Sequence, residues 1–347
     1  MRRGTGDGGR GKLLSFTAAL LSACATRTPP ATIPPVVVPP RTPVMTAPAP
    51  TPAARPTEGE IDGGAGKLWF HIVGRGPDTV IVPLGTWLER ALLPLGETHT
   101  VVFYDPRHRG RSHALSDSLQ ATFEGDVSDL EAIRAAMGAS RVSIIGYDYY
   151  AAVAAAWAAS HSQAVARLVL LSPIEPADSL ARSWNPPERM ARIDTTAARA
   201  LVKARAAGRD TTDAVRYCEE FWRVNARLFV GDTARAGTVG TEWCQLANES
   251  PARVADAAGR ALGSLGPAVD IGASANGLTA PTLVMHGRLD LVANPEGARE
   301  WTRRIPGARL LWLSNVGHLP HLEDPTGLLG AINDFLAGSW PPRAGPP

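Results

Sequence analysis

The sequence lacks a surplus of charge of either sign. Lys and Arg number 35 against 33 Asp and Glu, and seven of the bases fall in residues 1–56, where Asp7 is the single acid. The body beyond residue 56 therefore carries 28 basic and 32 acidic residues. A mildly acidic body offers no clustered cations for a phosphate backbone, which excludes nucleic acid as a partner. No apolar run is long enough to cross a bilayer; the run Leu13 to Leu21 falls well short. There is no His-Glu-x-x-His spacing, no glycine-rich phosphate loop and no internal repeat. No metal or organic cofactor is expected. What remains, 347 residues of which 44% are hydrophobic, suffices for one large core or two modest ones and excludes a disordered or fibrous chain.

The first residues read as an address. Arg2, Arg3, Arg10 and Lys12 precede Leu13 to Leu21, a positive segment followed by a short apolar one, as in a secretory signal. The run ends in Leu21-Ser22-Ala23-Cys24, which resembles a bacterial lipobox, where the signal (residues 1–24) is cut before Cys24 and its thiol is lipidated. That resemblance implies an exported protein, lipid-anchored to a bacterial membrane. Eleven prolines between Thr28 and Pro56 favour extended chain that cannot pack a core, so residues 25–60 are read as a tether. Beyond Cys24 the only cysteines are Cys218 and Cys244. In an oxidising compartment they suggest a disulfide; two separate buried thiols are the alternative.

Beyond residue 60, β-rich runs alternate with helical stretches, the mark of an α/β sheet. The pattern predicts strands at Leu68–Val73, Thr79–Pro83, Thr100–Tyr104, Val142–Ile145, Arg167–Leu171, Thr282–His286 and Arg309–Leu313. Helices are expected at Asp126–Met137, Ala151–Ser160, Pro295–Arg304 and Thr326–Ala337. Runs such as Leu168-Val169-Leu170-Leu171 are apolar on both faces, which suits a mostly parallel sheet. Residues 174–278 break the rhythm and read as a helical cap inserted between core segments 61–173 and 279–340, with a helical window at Thr211–Leu228.

Four motifs stand at strand ends. Gly146-Tyr147-Asp148-Tyr149-Tyr150 joins a strand to an Ala-rich helix through a tight turn. The others are Asp105-Pro106-Arg107-His108-Arg109-Gly110-Arg111-Ser112, the turn Gly287-Arg288-Leu289-Asp290, and Gly317-His318. Together they resemble the nucleophile elbow, Asp-x-Arg-Gly loop, acid turn and histidine loop of the α/β-hydrolase superfamily, in that superfamily's chain order. The cap's place and its Tyr217-Cys218 and Trp243-Cys244 segments are most similar to prolyl-aminopeptidase-like hydrolases, which use serine. Here the nucleophile position is Asp148, as in epoxide hydrolases and haloalkane dehalogenases.

The resemblance implies a catalytic set of Asp148, Asp290 and His318, and an oxyanion hole from the backbone of Gly85 and Tyr149. Trp87 and Tyr217 are candidate contacts for a small-molecule substrate. Trp184, Trp222 and Trp243 either line a pocket or form the cap's own core, and one of Glu219 and Glu220 could meet a cationic substrate terminus. An aspartate is anionic at neutral pH and attacks without a base. On an sp³ carbon it forms an ordinary ester, whereas on an amide it would form a high-energy anhydride, so residue type argues against peptidase activity. The alternative is a serine-hydrolase lineage that has lost its nucleophile and binds a ligand. Several positions depart from the family pattern: His108 replaces a usual glycine, Tyr149 stands where Trp is expected, Tyr150 is bulky enough to distort the elbow, and no His-Gly pair precedes Gly85. His321 and Glu323 read as loop structure, and His108 as solvated.

Overall fold

The computed structural model describes residues 57–346 except 116, 178–179, 181–183 and 266–269. The lipobox with Cys24 and the tether up to residue 56 lie outside the described residues. Eight strands form one sheet in the order β1-β2-β4-β3-β5-β6-β7-β8. Strands β3 (Thr79–Pro83), β4 (Thr100–Tyr104), β5 (Val142–Tyr147), β6 (Val165–Leu171), β7 (Thr282–Gly287) and β8 (Arg309–Leu313) run parallel. β1 (Glu58–Asp62) and β2 (Lys67–Val73) add an antiparallel edge.

The interior strands are parallel because they are apolar on both faces. All six residues of β5 and of β7 are buried, so each needs a covering layer above and below. α2 (Phe123–Ala136) packs on α3 (Tyr149–Ser160), which supplies part of it with alanines that let the helix lie close, while Trp157 fills the remaining volume. The tether's expected end at residue 60 is corrected. Glu58-Gly59-Glu60-Ile61-Asp62 alternates exposed with half-buried positions, the pattern of a solvated edge strand, and it pairs with Asp62 opposite Lys67 and Glu58 opposite His71. α1 (Gly85–Leu92), absent from the sequence expectations, follows β3 directly and buries Leu88 and Leu92.

Between β6 and β7 the chain forms the helices α4 (Thr195–Ala206), α5 (Ala214–Phe229) and α6 (Pro251–Ser264). Asp194 caps α4 by accepting from the N–H groups of Thr196 and Ala197. α5 is strongly amphipathic and buries Tyr217, Cys218 and Trp222. Cys218 is bonded to Cys244 across 26 residues, with the two Cα atoms 5.6 Å apart. Closing a loop of that size removes denatured-chain entropy equivalent to about 3 kcal/mol. Replacing both cysteines by serine is expected to lower unfolding free energy by about that amount; chemical denaturation checks it, and an unchanged midpoint would refute a stabilising role.

Candidate active site

The turn from β5 into α3 sets Asp148 apart from its neighbours. Its backbone lies at φ 53° and ψ −125°, a conformation few non-glycine residues adopt. The Asp148 N–H donates to the Leu171 carbonyl (3.0 Å) and the Ala151 N–H donates to the Asp148 carbonyl (3.1 Å), so the neighbouring strand β6 and the helix α3 hold the strain. Close approach is possible because Gly146 has no side chain. A Cβ there would lie 2.6 Å from the Tyr150 carbonyl oxygen and 2.7 Å from the Ala151 Cα. Tyr150 does not distort the turn. Its ring lies edge-on to Tyr149 at 5.0 Å, with the Arg109 guanidinium 5.9 Å away.

Asp290 and His318 reach the same place from the ends of β7 and β8. Asp290 Oδ1 accepts from the N–H groups of Val292 (2.7 Å) and Ala293 (3.0 Å), which leaves Oδ2 for His318 Nδ1 at 2.9 Å. His318 Nε2 then faces Asp148 Oδ1 at 3.6 Å. The imidazole sits between a fully enclosed carboxylate and one that is 38% exposed. Burial alone would lower the His318 pKa, but the two carboxylates outweigh it and hold it up to about 9. Burial is also the largest influence on Asp290, yet His318 and His286 bring its pKa below the usual carboxylate value. The pKa of Asp148 is raised by loss of water around its carboxyl, against the opposing pull of His318 and the Tyr149 N–H.

The loop after β3 places Gly85 at the start of α1, behind Leu84 at φ 62°. The next amide is taken: Thr86 N–H donates to Asp105 Oδ1 (2.8 Å) and the Thr86 hydroxyl to Oδ2 (2.7 Å). Among the described residues the Gly85 N–H has no such side-chain acceptor.

Other expected contacts go elsewhere. Tyr217 packs with Leu201, Val224 and Ala252 inside the cap and does not reach Asp148. The Trp87 indole N–H donates to Glu249 Oε2 (2.7 Å), while its ring stacks on Trp243 at 4.4 Å and lies 5.4 Å from Trp222. These aromatics join cap to core and are not walls of the cavity beside Asp148. Glu220 pairs with Arg216 (3.2 Å), and Glu219 is exposed. Glu323 ties the histidine loop to the cap, accepting from Gly317 N–H (2.8 Å) and Gly231 N–H (2.6 Å).

The cavity beside Asp148 has a volume of about 60 Å³ and is lined by His108, Arg109, Asp126, Tyr149, Tyr150 and the apolar face of α6. Three features in or beside it escaped the sequence reading. His108 is half-buried at φ 61°, not solvated. Glu249 bridges cap to core, accepting from Arg109 Nε (2.9 Å), Arg109 Nη2 (2.8 Å), Gly110 N–H (2.7 Å) and Trp87. Asp126 accepts from the Tyr149 hydroxyl (2.8 Å), and burial pushes its pKa up to about 7.

That shift has a definite sign. The unfolded chain ionises Asp126 near pH 3.8 and the folded chain near 7, so between these values the native state binds more protons and loses stability as pH rises. Asp126→Asn keeps an acceptor for Tyr149 and is expected to stabilise the protein at pH 8 by on the order of 2 kcal/mol, with little gain at pH 4. Equal melting shifts at both pH values would contradict this.

A sequence model of the family described as alpha/beta hydrolase fold matches residues 84–325. A proline iminopeptidase from Heyndrickxia coagulans is 24% identical over 302 residues, 81% of this chain and 98% of that protein. The solved enol-lactonase from Burkholderia xenovorans LB400 is similar with a TM-score of 0.61 at 22% identity, over 80% of this chain and all (100%) of that one. The epoxide hydrolase CorEH gives 0.62 at 19% identity, over 81% and 98%.

Proposed function

The chain belongs to the alpha/beta hydrolase fold family and is a hydrolase; we propose that it cleaves a small molecule through a covalent ester on Asp148. We also infer, from the sequence of residues 1–24 alone, that it does so from a lipid anchor at Cys24. The observation that carries the mechanism is the single imidazole held between the open carboxylate of Asp148 and the closed carboxylate of Asp290, at 3.6 and 2.9 Å.

With His318 held up to about 9, the resting site at neutral pH carries an imidazolium between two anions. Asp148 is then ionised and needs no base. One of its oxygens bonds to an electrophilic sp³ carbon, and the bond to a halide or an epoxide oxygen breaks with the electron pair leaving on that atom. Forming the ester removes the Asp148 charge. One of the two anions that raised the His318 pKa is gone, so the proton departs, to the new alkoxide or to solvent, and a neutral imidazole remains. Nε2 can now take a proton from water, whose oxygen attacks the ester carbonyl carbon. The oxyanion that develops on Asp148 faces the Gly85 and Tyr149 amides. Collapse releases the alcohol, protonated by His318, and the acid left on Asp148 then gives its remaining proton to His318, which restores the carboxylate and the imidazolium.

His318→Gln separates the two halves: attack remains possible and ester hydrolysis stalls. After exposure to a mixture of epoxides and alkyl halides, the Asp148 peptide of this variant is expected to gain the mass of one alkyl group from a halide or one hydroxyalkyl group from an epoxide, while wild type does not accumulate it. An unlabelled peptide in folded protein, beside a dehalogenase control that labels, would favour the lineage that lost its nucleophile.

A further inference from the structure

Two carboxyls line the cavity beside the elbow: that of Asp148 and that of Asp126, from the first turn of α2. The space holds about 60 Å³, so one small molecule in it meets both. Asp126 is 6% exposed and accepts the Tyr149 hydroxyl on Oδ2 (2.8 Å). Its other oxygen, Oδ1, has no hydrogen-bond partner among the described residues.

The two carboxyls differ in their cations. His318 stands 3.6 Å from Asp148 and favours its ionised form. The arginines beside Asp126 are committed elsewhere, Arg107 to Asp129 (2.6 Å) and Arg109 to Glu249 (2.8 Å). Among the described residues Asp126 has no ion-pair partner, and Asp129 adds a like charge one turn along α2. Tyr104, Tyr149 and Tyr150 face it from β4 and α3, and His108, its pKa lowered first by burial, is neutral. The wall from α6 is Val254, Ala257, Ala258 and Ala261, none of which titrates. Of two acids in one enclosed space, the one without a cation keeps its proton. Asparagine would accept the same Tyr149 bond without weakening the fold above neutral pH, so an aspartate here points to use of that proton.

Attack on an epoxide leaves an alkoxide, which needs a proton as the carbon–oxygen bond breaks; a halide ion does not. We propose that Asp126 is the general acid of this site, that its Oδ1 proton goes to the leaving oxygen, and that the substrate is therefore an epoxide and not an alkyl halide. This rests on the covalent reading of Asp148 above. As an Asp148 oxygen bonds to one epoxide carbon, the carbon–oxygen bond breaks with its electron pair on oxygen, and that oxygen takes the Asp126 proton. Tyr149 is a positioning residue: it stays on Oδ2 and stabilises the carboxylate left behind. The His318 proton then goes to solvent and Asp126 regains one from solvent, before water attacks the ester.

The full chain carrying His318→Gln tests this with 1,2-epoxypropane and 1-bromopropane, by the rate at which each labels the Asp148 peptide. The bromide needs no proton and reports the nucleophile alone. Adding Asp126→Asn is expected to lower the ratio of epoxide to bromide labelling by about 100-fold, the low end for a general acid. With Asp126 present that ratio should fall by about tenfold between pH 6.5 and 8.5, because the acid form is lost as pH rises through about 7; with asparagine it should not change. A ratio unmoved by Asp126→Asn, a ratio that does not fall with pH, or labelling by the bromide alone would each overturn the acid while leaving Asp148 as nucleophile. Labelling by neither probe in folded protein would overturn the covalent reading and the substrate class with it. Infrared difference spectra of wild type against Asp126→Asn need no substrate: a protonated-carboxyl band is expected at pH 6, and its absence would overturn the acid whatever the probes do.

Discussion

Asp148→Ala is expected to lower turnover of any substrate found by covalent labelling by on the order of 10⁴-fold or more, because no other group can form the ester. The loss should fall on the rate of turnover, and no adduct should appear on the elbow peptide even in the His318→Gln background. The fold should persist. The Asp148 side chain is 38% exposed, so alanine leaves no enclosed cavity, and Asp290 still faces the His318 imidazolium. A melting temperature near that of wild type would therefore accompany the loss of turnover. Retention of full activity would place the nucleophile elsewhere. Asp148→Ser is the informative companion: chromogenic ester hydrolysis that wild type lacks would point to a serine lineage whose nucleophile was replaced.

Glu249→Ala is expected to cost about 3–5 kcal/mol of unfolding free energy, the loss typical of one partner removed from a buried ion pair. Its side chain is fully enclosed and accepts from Arg109, Gly110 and Trp87, so alanine leaves a guanidinium that is only 11% exposed without its counter-charge. The pairing also depresses the Glu249 pKa against the opposing effect of burial, as an ion pair that outweighs its desolvation should. Adding Arg109→Ala should recover part of the loss, since no unpaired charge then remains. Urea denaturation of the two single variants and the double variant measures the coupling. A Glu249→Ala loss below about 1 kcal/mol would show the junction to be as weak as a surface pair. The same substitution should also impair turnover, because Glu249 holds both Trp87, next to the Gly85 loop, and Arg109, which lines the cavity.

The main architecture was legible because it is written locally. β3, β4 and β8 have the boundaries that their apolar runs predict, and β5 and β7 differ by one or two residues at their C-terminal ends. The elbow was equally legible, since a strand, a tight turn and an Ala-rich helix are contiguous in the chain. What the sequence concealed is alternation too short or too polar to register, such as β1, and an element like α1, whose apolar face is brief.

By itself the sequence determined the order of strands and helices along the chain and the identity of the residues at three strand ends, because backbone preference and side-chain period act over a few neighbouring positions. Only the tertiary structure decided what those residues meet. Glu249 reaches Arg109 across 140 positions and Trp87 across 162, and no local pattern encodes either contact. Tyr217 and Trp87 are aromatic in sequence and could have faced a ligand; packing turned the first into the cap's core and the second onto Trp243. Tyr150, bulky where a small residue is usual, is accommodated because Gly146 provides the close approach and the ring has Tyr149 and Arg109 as neighbours. Which side chains share a cavity depends on how the cap lies over the sheet, and that is set by burial summed over the whole core.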